Sequence, residues 1–236
     1  MENNRDMEAI ILAGGLGTRL RKVIKDIPKP MAPINSKPFL YFVLQWIRRY
    51  PVEKIILSLG FKPDIVRNYF GYSFSGISME YAIEEHPLGT GGAVKYAARF
   101  TNADDILVIN GDTFFPVDLQ KFYDFHVKNA NHFSVALKRM TNFDRYGTVE
   151  CKGDTIVRFR EKEFCKEGLI NGGIYLINKK YFKSKELPEV FSIEKDLMEK
   201  EAGSGILKAQ IFDDIFIDIG IPEDYQRASE LLSNYL

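Results

Sequence analysis

A chain of 236 residues, 45% apolar and 27% charged, is long enough to bury a substantial core without staples. Its 32 Lys and Arg balance its 32 Asp and Glu, which excludes the global basic field that would hold nucleic acid. Two cysteines, Cys151 and Cys165, are too few for a disulfide framework and read as free thiols in a reducing cytoplasm. The first six residues are polar and lack the apolar region of a signal peptide, and no apolar stretch is long enough to span a membrane. The expectation is a cytoplasmic protein with neither nucleic-acid nor membrane partners.

The apolar run 8–13 reads as a first buried strand. It breaks into Gly14-Gly15-Leu16-Gly17-Thr18-Arg19-Leu20, and Pro28-Lys29-Pro30 follows. Glycine lets the backbone approach an anion and present N–H groups to it. Arg19 adds a planar, permanently charged fork and Lys29 a mobile point charge, so the segment suits phosphates. Its spacing is neither the dinucleotide fingerprint nor the Gly-Lys-Ser/Thr phosphate loop, and an ordinary tight turn is the alternative. A helix is predicted over 39–50, with Pro38 at its start and Trp46 on its apolar face as core. Then come a strand over 54–59, a helix over 64–70, a strand over 78–83, a helix over 92–99 and a strand over 106–109. Such alternation implies a mostly parallel sheet with helices on both faces and ligands at the carboxyl ends of strands.

The second half changes texture. Residues 133–139 alternate like a strand, 146–159 read as a hairpin around Lys152-Gly153-Asp154, and 173–177 form another strand. Helices are predicted over 193–200 and 222–235. Residues 1–236 are expected to form a single domain whose halves, about 7–130 and about 131–236, share one sheet.

Several residues carry chemistry. Asp112 ends a strand after Asn110-Gly111, where a carboxylate is placed for Mg²⁺; a turn-capping aspartate is the alternative. Asp218 lies inside the apolar run 216–222 and is costly to bury unless paired or metal-bound. Together the two could clamp one Mg²⁺ from two strand ends. Glu84 and Glu85 precede His86-Pro87-Leu88-Gly89-Thr90-Gly91-Gly92, whose glycines permit close approach to a flat ligand. A carboxylate only accepts hydrogen bonds, which matches the N1–H and N2 donors of guanine, whereas glutamine would suit uracil or thymine. A solvated acidic pair is the plainer reading. His86 reads as structural or exposed. Lys162, after Glu161, is either a neutraliser of a second phosphate or ordinary surface charge. Asn171-Gly172-Gly173 could offer an amide to sugar hydroxyls. His126 and His132 lack metal-ligand spacing.

Segments 12–20, 28–30, 87–92, 110–112, 161–162, 171–175 and 218–222, in this order, resemble the sugar-1-phosphate nucleotidyltransferases. The resemblance implies a Rossmann-like, GT-A-like three-layer αβα fold with a mixed, mostly parallel central sheet. It implies the reaction of an NTP with a sugar 1-phosphate to give an NDP-sugar and pyrophosphate. It places Leu12, Ala13, Gly14, Gly15, Gly17, Thr18 and Thr90 on the nucleotide, and Glu84 and Gly89 near the base. Arg19 and Lys29 would hold the triphosphate and act catalytically. Asp112 and Asp218 would bind Mg²⁺, and Asn110, Glu161, Lys162 and Asn171 the sugar phosphate. The wording of 25–34 and 87–92 points to GTP and D-glycero-α-D-manno-heptose 1-phosphate as substrates, feeding a capsule or lipopolysaccharide. A uridylyl- or cytidylyltransferase, or a silent nucleotide-sugar sensor or regulatory subunit, is the alternative; the intact set of charged residues favours an enzyme. Phe216 stands where many relatives carry tryptophan. The left-handed β-helix that some relatives append, with its acyltransferase activity, is not expected here. A homodimer is expected by base rate.

Overall fold

The computed structural model describes residues 7–15, 26–220 and 222–235. Gly17, Thr18 and Arg19 therefore lie outside the described residues. The chain opens with β1 (Met7–Leu12), a 3-10 turn (Lys29–Met31), the short pair β2 (Pro33–Ile34) and β3 (Lys37–Pro38), and α1 (Phe39–Ile47). It continues through β4 (Val52–Leu59), α2 (Pro63–Phe70), β5 (Ser73–Phe74), β6 (Ile77–Ile83), α3 (Gly89–Ala97), β7 (Asp105–Asn110), β8 (Thr113–Phe114) and α4 (Leu119–Lys128). The later elements are β9 (Phe133–Phe143), β10 (Gly147–Lys152), β11 (Thr155–Lys162), β12 (Cys165–Asn178) and α5 (Lys179–Ser184). A π-helix (Ile193–Met198), α6 (Glu199–Glu201), β13 (Leu207–Phe212), β14 (Ile217–Asp218), α7 (Pro222–Leu231) and a closing 3-10 turn (Leu232–Tyr235) follow.

Ten strands form one sheet in the order β10-β11-β13-β9-β12-β7-β1-β4-β6-β5. β1 runs parallel to both β4 and β7, and β4 parallel to β6. β12 turns the pattern antiparallel, pairing with β7 on one side and β9 on the other. The sheet is thus mixed, with its parallel part built by the first half of the chain. Alternation along the strands fills both faces. Ala9, Ile11, Ile55, Leu57, Leu107 and Ile109 face a core that holds α1 and the aromatic side chains of Trp46 and Phe122. Ile10, Ile56, Ile106 and Val108 face the opposite core, with Val94 of α3, Phe182 of α5 and Leu197 of the π-helix. Helices on both faces make this the three-layer αβα arrangement. Among the described residues no helix is long and apolar enough to cross a membrane.

Local chemistry explains most boundaries. α1 starts straight after Pro38, and its predicted last turn, 48–50, tightens instead into i→i−3 bonds from Arg49 to Trp46 and Tyr50 to Ile47. Trp46 is 1% exposed and its indole N–H donates to the Val117 carbonyl at 3.1 Å. α4 begins at Asp118, whose carboxylate accepts from the Lys121 N–H at 3.0 Å. Asp118→Ala removes that cap and is expected to cost about 1 kcal/mol in a urea denaturation series. His126 of α4 is buried between Ser134 (2.8 Å) and Asp105 (3.3 Å), which satisfies both ring nitrogens. Both cysteines are free.

The structure corrects several element bounds. α3 starts at Gly89 rather than 92, β9 and β12 extend to Phe143 and back to Cys165, and the hairpin strand β11 runs on to Lys162. The extensions of β9 and β12 pair with each other, Cys165 opposite Phe143 and Glu167 opposite Thr141. Their exposed charged residues hid this ribbon from apolar patterning.

Candidate active site

The carboxyl ends of β1, β4, β6 and β7 converge on a cavity of about 520 Å³. Leu12, Ala13, Gly14, Gly15, Lys29, Glu84, Gly89, Thr90, Asn110 and Asp112 line it, together with Pro30, Gly60, Phe61, Glu85, His86, Pro87 and Ala93. The register makes this convergence: Leu12 of β1 lies opposite Ser58 of β4 on one side and Asn110 of β7 on the other. The Leu12 carbonyl accepts from the Gly111 N–H at 2.9 Å, so the strand end is pinned. Among the described residues nothing lies within 4 Å of the side-chain position of Gly15, which leaves room for a ligand to meet the backbone.

Glu84 follows β6 and is held firmly. Its Oε1 accepts from the Ser58 hydroxyl at 3.0 Å and its Oε2 from the Leu88 N–H at 3.2 Å. A Cβ on Gly14 would come 2.7 Å from that same Oε1, so Gly14 is small because Glu84 sits against it. A carboxylate has about four acceptor positions, and two internal bonds leave capacity for a ligand's donors. The glycines that open α3 have a role the sequence did not show. The space beside Gly91 is taken by the Phe191 ring and that beside Gly92 by the Glu189 carbonyl. Segment 189–191, rather than a flat ligand, demands their size. His86 lies at the rim, half exposed, 3.7 Å from Glu189.

At the other end of the cavity stands a charged cluster. Lys29 rises from its 3-10 turn with a side chain only 11% exposed, its ammonium 2.7 Å from Asp112 and 3.6 Å from Asp218. β8 and β14 pair antiparallel, Thr113 opposite Asp218, and the Ile219 N–H donates to the Asp112 carbonyl at 3.1 Å. This two-stranded ribbon brings two aspartates a hundred residues apart onto one cation. Asp218 also accepts from the Gly220 N–H at 2.7 Å and lies 3.5 Å from the Tyr146 hydroxyl. Burial, with the Asp218 carboxylate beside it, pushes the Tyr146 phenol well above its ordinary pKa, so it stays a neutral donor. The described residues hold no group of three metal-ligating side chains. Two carboxylates, one lining the cavity and one beside it, fit a hard divalent cation that completes its shell from phosphate and water.

Glu161, Lys162, Asn171 and Asp218 do not line the cavity itself. Strand pairing sets Glu161, Lys162 and Asn171 on the antiparallel part of the sheet. Lys162 lies opposite Gly147, next to Tyr146; Thr148 lies opposite Ile170, next to Asn171. Glu161 and Lys162 are exposed within β11 rather than after it. Asn171 donates to the Tyr175 hydroxyl at 2.9 Å and accepts from the Gly173 N–H at 2.9 Å. Gly173, at φ 73°, leaves no room for a Cβ against Asn110. Ser58, Tyr146 and Glu194 were not singled out in the sequence. Ser58, a lone hydroxyl in the apolar strand 55–59, carried a legible signal; Tyr146 and Glu194 carried none that separated them from surface residues.

A glycine-lined cavity at a parallel sheet's carboxyl edge, closed by one lysine between two aspartates, defines a nucleotidyltransferase, and the chain belongs to the nucleotidyl transferase family, whose profile matches residues 8–234. It is 46% identical to a D-glycero-α-D-manno-heptose 1-phosphate guanylyltransferase of Aneurinibacillus thermoaerophilus, over 98% of this chain and 100% of the relative. It is 50% identical to the protein of the same name from Campylobacter jejuni, over 93% of this chain and 97% of the relative. Among solved structures it resembles HddC from Yersinia pseudotuberculosis complexed with GMP-PN, with a TM-score of 0.86 and 37% identity, over 96% of this chain and 100% of that one.

Proposed function

We propose that this chain transfers a guanylyl group from GTP to D-glycero-α-D-manno-heptose 1-phosphate, releasing pyrophosphate and yielding a GDP-heptose for a surface glycan such as a capsule or lipopolysaccharide. The observation that carries the reading is Lys29 held between Asp112 and Asp218 at one end of a cavity whose other end presents Glu84. The identity to two heptose 1-phosphate guanylyltransferases over nearly their whole length supports the choice of sugar and base.

In this reading a phosphate oxygen of the sugar attacks the α-phosphorus of GTP. The bond to the bridging oxygen of the β-phosphate breaks, and pyrophosphate leaves with that oxygen's electron pair. The nucleophile is already an anion, so no general base is needed. The obstacle is repulsion between two anions. Lys29 and Arg19 stabilise the charge spread over the α-phosphate, and Lys162 the charge of the incoming sugar phosphate. Asp112 and Asp218 would hold Mg²⁺, which when bound supplies positive charge to the phosphate oxygens. Leu12, Ala13, Gly14 and Gly15 present backbone to the nucleotide, Gly17, Thr18 and Thr90 bind it, and Glu84 and Gly89 seat the base. Asn110, Glu161 and Asn171 orient the sugar. The setting is the cytoplasm, where GTP is available, and the assembly a homodimer, which light scattering tests.

The deciding experiment measures pyrophosphate release with Mg²⁺, crossing GTP, UTP, CTP, dTTP and ATP with a panel of sugar 1-phosphates. Turnover confined to GTP and the manno-heptose supports the reading. Turnover with another pair moves the specificity, and none with any pair points to a silent sensor. Glu84→Gln should fold, because the amide can donate to the Ser58 oxygen while accepting from the Leu88 N–H. It is expected to lower the preference for GTP over UTP by about tenfold or more in the same assay.

A further inference from the structure

Ser58 places a hydroxyl where β4 otherwise buries aliphatic side chains. It is the one polar residue of the run 55–59, and it is 0% exposed. Leu12 of β1 stands opposite it on one side and Ala82 of β6 on the other. A hydroxyl taken out of water costs free energy unless it is bonded, and alanine would fill such a place without that cost. The partner that Ser58 finds is Glu84, whose Oε1 accepts from it at 3.0 Å.

The direction of this bond follows from its chemistry. A carboxylate has no proton to give, so Ser58 donates. The terminal torsion of a glutamate side chain is soft and does not by itself fix the plane of the carboxylate. In this site each oxygen is tied to a different element: Oε1 to the Ser58 hydroxyl of β4, and Oε2 to the Leu88 N–H ahead of α3 at 3.2 Å. Two anchors fix the plane where one would leave it free to swing. The Ser58 backbone is held as well, because its carbonyl accepts from the Ala13 N–H at 2.9 Å. The hydroxyl therefore has a set place relative to the backbone of 12–15, which lines the same cavity as Glu84.

A fixed carboxylate plane matters for guanine in particular. Guanine presents N1–H and N2–H side by side on one edge, and a carboxylate that meets both must offer an oxygen to each. A carboxylate turned out of that plane still reaches one donor. Hypoxanthine, the base of ITP, has the N1–H and no 2-amino group, so it asks for one oxygen only.

We propose that Ser58 is a positioning residue that holds the Glu84 carboxylate in the plane where both of its oxygens meet guanine, and that it thereby sets the preference for GTP over ITP. This rests on the base assignment made above and deepens it.

The test is kcat/KM for pyrophosphate release with GTP and with ITP, D-glycero-α-D-manno-heptose 1-phosphate being the second substrate. The wild type is compared with Ser58→Ala, Ser58→Cys and Ser58→Thr, each with a thermal melt. The wild type is expected to favour GTP over ITP by about tenfold or more, the worth of a hydrogen bond to a charged group. Ser58→Ala should bring that ratio to about threefold or less, with the loss in KM for GTP more than in kcat. Should Ser58→Ala fail to fold, Ser58→Cys, of similar size and a weak donor, carries the same comparison. Ser58→Thr, which keeps the hydroxyl on a residue suited to strands, should restore the ratio. A merely structural role would lower the melting temperature and scale both nucleotides together. A ratio unchanged when the hydroxyl is removed, or not restored in a folded Ser58→Thr, overturns the inference alone. A wild type that treats the two nucleotides alike, or turns over neither, overturns the base assignment and the inference with it.

Discussion

Asp112→Asn is expected to lower kcat on the order of a thousandfold while leaving the fold intact. The substitution keeps size and hydrogen-bonding oxygen and removes only charge. Lys29 retains Asp218 at 3.6 Å, and the backbone bond from Ile219 to the Asp112 carbonyl is untouched. Asp112 itself is 39% exposed, so the pair it forms with Lys29 contributes within about 1 kcal/mol to stability. Its loss falls instead on catalysis, where removing one electrostatic element of a preorganised site costs on the order of 10²–10³ and a carboxylate that holds a divalent cation costs more. Pyrophosphate release read beside urea denaturation separates the two. Near wild-type turnover would remove Asp112 from the catalytic set.

Gly89→Ala is expected to destabilise the chain by about 3 kcal/mol and to abolish most activity. Gly89 has φ 71°, a backbone conformation that costs an L residue roughly 1–2 kcal/mol. The new Cβ would also lie 2.5 Å from the Phe191 carbonyl oxygen, a backbone atom fixed by bonds from Gly91 and Gly92, and such overpacking typically adds about 1–3 kcal/mol. The chain can relieve the clash only by lifting the first turn of α3 from segment 189–191. Leu88 would then release Glu84, whose Oε2 it bonds, and the Glu84 end of the cavity would lose its shape. Thermal melting and nucleotide binding should fall together; a wild-type melt would show that the clamp yields cheaply.

What the sequence made legible was governed by periodicity and by punctuation. Strands β1, β4, β6 and β7 were plain because both faces are buried, giving unbroken apolar runs such as Ile55-Ile56-Leu57. Their ends carried glycine or charge, which marked Gly14, Glu84 and Asp112 before any geometry. The ribbon of β9 and β12 was obscured because Lys166 and Glu167 face solvent on a strand only partly covered. β13 passed unnoticed because Lys208 and Gln210 interrupt it, although it lies between β9 and β11 in the sheet. The charged cluster was half legible. Asp112 and Asp218 stood out as carboxylates in apolar settings, but that Lys29 bridges them follows from a pairing of two-residue strands too short for any pattern. Glu194 was invisible for a different reason: the Thr90 and Ser192 hydroxyls donate to it, and spacing along the chain carries no record of that.

The order of strands in the sheet also governs when the protein can assemble as it leaves the ribosome. β7, with Ile106, Leu107, Val108 and Ile109, is one edge of the parallel part until β12 arrives to cover it. A nascent chain that has emerged only as far as residue 164 therefore carries a buried-type strand with a bare edge, the kind that recruits other chains. Translation must proceed past residue 178 to cover it and past 212 to seat β13 between β9 and β11. The pairing of β8 with β14 comes later still, and with it Asp218 reaches Lys29. The cluster of Lys29, Asp112 and Asp218 is thus among the last features to form during synthesis, and fragments lacking the residues around 218 should aggregate or bind nucleotide without turning it over.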